Sequence, residues 1–285
     1  MMIKNVKDYM RSPVYVIERN EPIQRARNLM FKYDVGRLPV MDNGKLVGIV
    51  TKYDITNRLC QAAPEWRRRP IDLVPIHLVM TESPVTIYPD ATMNQAAVLM
   101  TENEVSGLPV EKDGEITGMI SSRDMVRYFS EQDVKARVGD IMSTNLVSVH
   151  RHHTIAHVLE QMNLQGVGRV LVYEDNQAPV GIITRSGLTF SNMMGPNDEM
   201  ETKDIKMTRK DSSAGRKQYR YVKEMPLVAE DIMNSPIMST SAEMKAVDAA
   251  KILADKHICG MPVLENDNIV GFFSADEIVA EIGRW

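Results

Sequence analysis

The stretch Leu46-Val47-Gly48-Ile49-Val50-Thr51-Lys52-Tyr53-Asp54 decides the fold, because the chain repeats its pattern. A short apolar strand carries a glycine, then come two apolar residues, a hydroxyl and a carboxylate three positions later. The pattern returns as Ile116-Thr117-Gly118-Met119-Ile120-Ser121-Ser122-Arg123-Asp124 and as Ile269-Val270-Gly271-Phe272-Phe273-Ser274-Ala275-Asp276-Glu277. A further copy, Pro179-Val180-Gly181-Ile182-Ile183-Thr184-Arg185-Ser186-Gly187, has a glycine where the acid should stand. Recurrence in register marks a small repeated domain rather than a local motif.

Aligning the copies on their glycines brings the preceding segments into line. Each repeat opens with a lead-in built around a methionine: Asp8-Tyr9-Met10, Leu78-Val79-Met80, Asp140-Ile141-Met142 and Asp231-Ile232-Met233. A helical stretch follows, with apolar residues three and four apart, as in Ile23, Ala26 and Met30 or Ile155, Val158, Leu159 and Met162. Pro22, Asp90 and Ser241 stand where these helices should start. Next comes a strand, Gly36-Arg37-Leu38-Pro39-Val40 in the first repeat and Gly107-Leu108-Pro109-Val110 in the second. Gly168-Arg169-Val170-Leu171-Val172 and Gly260-Met261-Pro262-Val263 are its later counterparts. Asn43-Gly44 and Asp113-Gly114 supply hairpin turns into the glycine-bearing strand. The hydroxyl closes that strand and opens a last helix. The fold class is therefore α/β (α+β): β-α-β-β-α repeats of about sixty residues, too small to cover a sheet face alone, and so expected to pack in pairs.

The chain has 285 residues, 44% of them hydrophobic, which accommodates several such domains. With 34 basic and 38 acidic residues the net charge is −4, so no global attraction to nucleic acid or anionic membranes is expected. Cys60 and Cys259 offer neither a disulfide framework nor a paired metal motif and read as reduced thiols. The first residues lack the apolar run of a signal peptide, and no later segment reaches membrane-spanning length. A cytoplasmic protein with no membrane partner is expected.

These residues resemble the CBS (cystathionine β-synthase) domain family, over nearly the whole chain except a segment near 189–227. The resemblance implies repeats at 1–58, 70–130, 133–190 and 227–285, separated before the last by an insertion at 191–226. It also implies two pseudo-twofold Bateman modules, roughly 1–132 and 133–285, laid out like the nucleotide-sensing γ subunit of AMP-activated protein kinase. The longer step from Gly181 to Gly271 agrees with the insertion.

The Ser/Thr-x-x-Asp/Glu element has two readings. It is a capping box, in which the hydroxyl and the acid satisfy backbone donors at a helix start, although that box prefers Glu or Gln to the shorter Asp54 and Asp124. Alternatively the acid accepts from the paired hydroxyls of a ribose, as the resemblance implies. One cleft would then join Ser121 and Asp124 to Val14, Val35, Gly36 and Arg37, and the opposite cleft Thr51 and Asp54 to Val85, Val105, Ser106 and Gly107. Adenine would lie among apolar side chains such as Val14, Val35 and Ile120. Arg37 and Arg169 hold the position where nucleotide-sensing relatives bind phosphate, with Lys52, Arg123 or Arg185 adding charge. The second module departs from the pattern. Thr184 lacks its acid, with Ile237, Ile258, Cys259 and Gly260 across from it. Ser274 and Glu277 face Val167, Gly168 and Arg169, but Glu277 suits a capping box as well as a ligand.

His150, His152, His153 and His157 crowd the third repeat; His153 and His157 have helical spacing, but nothing completes a metal set, and no metal is expected. Trp66-Arg67-Arg68-Arg69-Pro70 reads as a charged linker. In the insertion, Lys206-Met207-Thr208-Arg209-Lys210 and Arg216-Lys217-Gln218-Tyr219-Arg220-Tyr221-Val222-Lys223 flank Asp211-Ser212-Ser213-Ala214-Gly215, as in a basic hairpin or a mobile loop. No nucleophile, phosphate loop or zinc pattern indicates an enzyme or a catalytic cofactor. The expectation is a non-catalytic regulatory protein for energy sensing that binds AMP, ADP or ATP. S-adenosylmethionine or methylthioadenosine is the alternative ligand, and a nucleic-acid- or protein-binding adaptor using residues 206–223 the alternative of another class. A regulated protein target and a homo-oligomer are the expected partners, with nucleic acid not favoured.

Overall fold

In the computed structural model the described residues are 4–61, 73–175, 179–184, 203–206, 222–225, 227–266 and 268–285. They form two compact units, one of Met1–Leu146 with Pro236–Trp285 and the other Val147–Ser235.

In the first unit, repeat 1 runs from the lead-in helix α1 (Val6–Tyr9) through β1 (Ile17–Glu18), α2 (Ile23–Lys32), β2 (Arg37–Asp42) and β3 (Lys45–Thr51) to α3 (Lys52–Gln61). Strands β1 and β2 are parallel and β2 and β3 antiparallel, with β4 (Thr81–Glu82) added at the edge from the lead-in of repeat 2. Repeat 2 continues with α4 (Met93–Glu102), β5 (Gly107–Lys112), β6 (Glu115–Ser121) and α5 (Ser122–Ser130). Its first strand is reduced to one parallel bridge, Ile87 to Val110. The lead-in helix of repeat 3, α6 (Val138–Ile141), also belongs here. In the second unit repeat 3 places β7 (Ser148–His150), α7 (Ile155–Leu164), β8 (Arg169–Tyr173) and β9 (Pro179–Thr184). The insertion contributes β10 (Lys203–Lys206) and β11 (Val222–Met225), which pair antiparallel. The lead-in helix of repeat 4, α8 (Ala229–Ile232), follows. Repeat 4 returns to the first unit with β12 (Thr240–Ser241), α9 (Ala246–Lys256), β13 (Gly260–Glu265), β14 (Asn268–Ser274) and α10 (Ala275–Gly283).

Local chemistry explains these elements. The hairpin turns place Asn43 and Gly44, and Asp113 and Gly114, at positive φ, as a two-residue turn matched to strand twist requires. All four hairpins slip register at one equivalent place, after Val40, Val110, Val172 and Val263. Of the expected helix starts, Pro22 caps α2. The other two shift. Helix α4 begins after Thr92, whose side chain accepts from the Gln95 amide at 3.2 Å and whose own amide donates to Gln95 at 2.9 Å. Ser241 is drawn into β12 opposite Leu264, so α9 begins after Lys245.

The apolar helix faces are buried as their spacing requires, with Ile23, Ala26 and Met30 inward on α2 and Ile155, Val158, Leu159 and Met162 inward on α7. Within the first unit α10 packs on α4 and α5, and α5 on α9. Repeats 2 and 4 thus share one core, with Phe129, Phe273 and Ile278 fully buried in it.

The lead-ins resolve the repeated methionine and glycine. Each lead-in crosses to the neighbouring repeat's sheet rather than its own: Arg11 bridges Met119, Ser143 bridges Phe272 and Asn234 bridges Ile182, while β4 pairs with β3. The methionine then lies over the glycine. A methyl on Gly118 would stand 2.3 Å from Met10 Sδ, on Gly48 2.6 Å from Met80 Sδ, on Gly181 2.4 Å from Met233 Sδ and on Gly271 2.7 Å from Met142 Sδ. These glycines allow close approach of another segment, which any side chain would block. In the helical lead-ins the conserved spacing of acid and methionine has its own cause: Asp8, Asp140 and Asp231 each accept a hydrogen bond from the amide three residues earlier, at 2.9, 2.8 and 2.9 Å.

Candidate functional site

Both readings of the hydroxyl-acid element bear on one place, the strand-to-helix junction, and the junction is closed as a cap. The Thr51 amide donates to Asp54 Oδ2 at 2.8 Å, its hydroxyl donates to the same oxygen at 2.7 Å, and the Asp54 amide donates back to Thr51 Oγ1 at 3.1 Å. Ser121 and Asp124 repeat this, with the amide at 2.9 Å and the hydroxyl at 2.6 Å from Oδ2. Aspartate is long enough to close the box after all. In repeat 4 the Ser274 hydroxyl donates to Glu277 Oε2 at 2.6 Å and accepts from the Asp276 amide at 3.2 Å, so this serine caps one residue earlier.

The bonds of both aspartate caps fall on Oδ2. Asp124 Oδ1 instead lies 3.8 Å from Arg127, whose guanidinium donates to the Tyr9 carbonyl at 2.7 Å and ties the lead-in of repeat 1 to the junction of repeat 2. Asp124 is 5% exposed. Asp54 is only partly buried, yet its carboxyl is pushed upward, chiefly by burial and against the hydrogen bonds from Thr51 and the charge of Arg37.

Register carries Arg37 to this junction. It sits opposite Thr51 on the β2–β3 ladder, as Gly107 sits opposite Ser121 on β5–β6. From there the guanidinium reaches repeat 2, donating from Nη2 to Ser106 Oγ at 3.1 Å. A methyl on Gly107 would stand 1.7 Å from its Nη1. Burial holds Arg37 down to about 10, Asp124 and then Asp54 pull the other way, and Arg123 adds to the depression. Lys52 is also lowered, by burial first and by Arg123, with Asp34 opposing. Arg123 thus acts on both Arg37 and Lys52, while Asp124 and Asp54 act on Arg37.

The remaining residues fall as follows. Val14, Val35 and Val85 are partly buried and Gly36, Val105, Ser106 and Arg123 exposed; the Gly36 carbonyl accepts from the Lys52 amide at 2.9 Å and the Ser106 carbonyl from the Ser122 amide at 3.0 Å. Ile120 is fully buried in the shared core, its side chain alternating away from the partly buried Met119 and Ser121. Thr184, Val167, Gly168 and Arg169 lie in the second unit, all partly buried, while Ser274, Glu277, Ile258, Cys259 and Gly260 lie in the first. Arg185 and Gly187, the linker 66–70 and most of the basic insertion fall outside the described residues.

The histidines engage neighbours near at hand. His150 Nε2 meets Asp175 Oδ1 at 2.8 Å, and His153 Nδ1 accepts from the His150 amide at 3.2 Å. Arg151, among them, bonds Glu230 of α8 at 2.8 Å. Among the described residues no group of three or more His, Cys, Asp or Glu side chains is placed to hold a metal. Nor is any helix there long and apolar enough to cross a membrane.

The comparisons agree with this architecture. The CBS domain model matches residues 6–60, 76–131, 138–190 and 228–284. The chain belongs to the CBS domain family. Its relatives include the uncharacterised protein MJ1232 of Methanocaldococcus jannaschii, 34% identical over 103 residues, or 36% of this chain and 34% of that protein. The CBS domain-containing protein YhcV of Bacillus subtilis is 26% identical over 145 residues, covering 50% of this chain and 99% of YhcV. The chain therefore matches about a third of the length of the first relative. Among solved structures, MJ1225 of M. jannaschii, proposed as an archaeal homologue of g-AMPK, superposes with a TM-score of 0.77 at 18% identity. That match covers 98% of this chain and 99% of MJ1225, and is a likeness of fold. CBS-domain proteins are generally regulatory.

Sequence reasoning found the junction residues and missed two things. It did not connect the lead-in methionines with the glycines, although their fixed place before each glycine strand was a signal of pairing. It also assigned Arg37 to one cleft, whereas the side chain lies against both repeats.

Proposed function

We propose that the first two CBS repeats bind an adenosine nucleotide, AMP, ADP or ATP, at the junctions Thr51–Asp54 and Ser121–Asp124. The protein then acts as a non-catalytic, cytoplasmic energy sensor for a regulated protein target, working as a homo-oligomer with the repeat bounds drawn from its sequence. One observation carries this reading: each aspartate spends Oδ2 on its cap and keeps Oδ1 out of it, while the Arg37 guanidinium lies within reach of the charge of both, with Arg123 acting on it and on Lys52. A carboxylate has about four lone-pair sites, so capping and accepting from a ribose hydroxyl are compatible. Arg37 and Lys52, desolvated and each repelled by Arg123, favour an anionic group, since a phosphate would offset that repulsion and accept from a guanidinium bidentately. The same charges disfavour S-adenosylmethionine, whose sulfonium would add a further cation, and give methylthioadenosine nothing to replace the phosphate.

A micromolar ligand contributes about 8 kcal/mol of binding, against ~1–3 kcal/mol for a useful coupling to a partner. Only the part of that energy that differs between two arrangements of the repeats shifts them.

Asp54→Asn and Asp124→Asn separate the two roles. The asparagine oxygen still accepts at the cap, whereas the amide nitrogen replaces an acceptor by a donor on the ribose side. Calorimetry with AMP, ATP, adenosine and S-adenosylmethionine should show each change weakening adenosine compounds tenfold or more, with the melting temperature nearly unmoved. Unchanged affinities in both variants would remove the ribose role, and unchanged AMP affinity in Arg37→Ala the phosphate role.

A further inference from the structure

Arg37 is the pseudo-symmetry mate of Gly107. Both lie one ladder position across from the capping hydroxyl, Arg37 opposite Thr51 and Gly107 opposite Ser121. The backbone places the same residue twice, but the side chain is supplied once. Its stem rises beside the Thr51–Asp54 junction, and its head rests on Ser106 and in the space left by the missing Gly107 side chain, next to the Ser121–Asp124 junction. Nothing larger than glycine fits at 107 while the guanidinium is there.

We propose that Arg37 is one phosphate receptor shared by two adenosine sites, so that the first pair of repeats holds one phosphorylated ligand at a time. The proposal rests on the nucleotide reading of these junctions and adds a rule of occupancy. A nucleotide at either junction draws the guanidinium to its phosphate. The second site is left with its ribose acceptor, without its cation, and faces an anion across the seam. It then takes an uncharged adenosine compound or stays empty. Both carboxylates act on the Arg37 charge where it now rests, as a shared position requires.

The test is calorimetry on the full chain with AMP and with adenosine, for wild type, Asp54→Asn, Asp124→Asn, and each of these combined with Arg37→Met. Any contribution from repeats 3 and 4 is common to all variants. In wild type the two AMP affinities of the first pair should differ at least tenfold. Disabling the tighter site should raise AMP affinity at the other fivefold or more above its wild-type value, leave adenosine there unchanged, and have no such effect once Arg37 is methionine. Should Arg37→Met fail to fold, Arg37→Gln takes its place. Two equal AMP affinities, each indifferent to loss of its neighbour, would overturn the sharing while leaving the nucleotide reading intact. AMP and adenosine binding that neither aspartate change alters would overturn both.

Discussion

Repeats 1 and 2 have the same helix, hairpin and closing helix, the same slipped register, the same methionine over the same glycine and the same closed cap, although repeat 2 keeps only a bridge where repeat 1 has β1. At the ladder position facing the capping hydroxyl they differ, arginine in repeat 1 and glycine in repeat 2, and they differ in the exposure of their acids. Backbone symmetry therefore does not require chemical symmetry. Near a pseudo-twofold axis, two copies of a large side chain would claim the same space, so one repeat supplies the group and the other supplies room for it. Repeats 3 and 4 carry the same alternation, Arg169 opposite Thr184 and Gly260 opposite Ser274.

Forcing the two repeats to match should have the largest effect. Gly107→Arg places a second guanidinium on the first and a Cβ 2.9 Å from the Ile120 carbonyl, so a loss of about 3 kcal/mol or more is expected in urea unfolding. Adding Arg37→Gly to the same chain should recover part of that loss, because one of the two claimants is gone. A double variant no more stable than Gly107→Arg alone would deny the shared space.

Next come the features the two repeats have in common. Gly118→Ala and Gly48→Ala each push a methyl against a methionine sulfur, and each should cost about 1–3 kcal/mol by overpacking. The two costs should agree within about 1 kcal/mol. A large disparity would mean that one lead-in is seated less firmly than the other.

The acids should separate the repeats again, by less. Asp124→Ala leaves the Ser121 amide without its acceptor at a buried site, for about 1–2 kcal/mol. Asp54→Ala should cost under about 1 kcal/mol, since burial already disfavours its charge. Equal losses in chemical denaturation would contradict the difference in their surroundings.

The smallest effect is in pH. The folded-state pKa of Asp54 lies above its unfolded value of 3.8, so its favourable contribution is full below 3.8 and is lost as pH rises through the raised value. Wild type should gain stability relative to Asp54→Asn as pH falls from 7 toward 4. A difference between the two that stays constant over that range would mean the carboxyl is not shifted.

Much of this architecture could be read from the chain because its signals are local. The short apolar run Leu46–Val50 closed by Thr51, the positive-φ turn at Asn43–Gly44 and the three- and four-residue spacing on α2 each depend on residues close in sequence. The failures were of two kinds. Ser241 has good capping chemistry but pairs with Leu264, so tertiary pairing overrode a local preference. Ile120 stands next to the capping Ser121 in sequence, but on β6 it alternates to the buried side with Gly118. At the site, sequence named Thr51, Asp54, Ser121 and Asp124 but left cap and ribose as rivals, because the two oxygens of one carboxylate are told apart only by geometry. The resting place of the Arg37 head depends on a glycine seventy positions away.

The exchange of lead-ins sets a rule of parity. A solitary repeat would leave its glycine groove bare and its own methionine with nowhere to lodge, and a third repeat added to a pair would inherit both defects. Growth or loss of such a chain is stable only in even steps, so a truncation that removes one lead-in should strip the cover from the neighbouring sheet, not from the repeat that was cut.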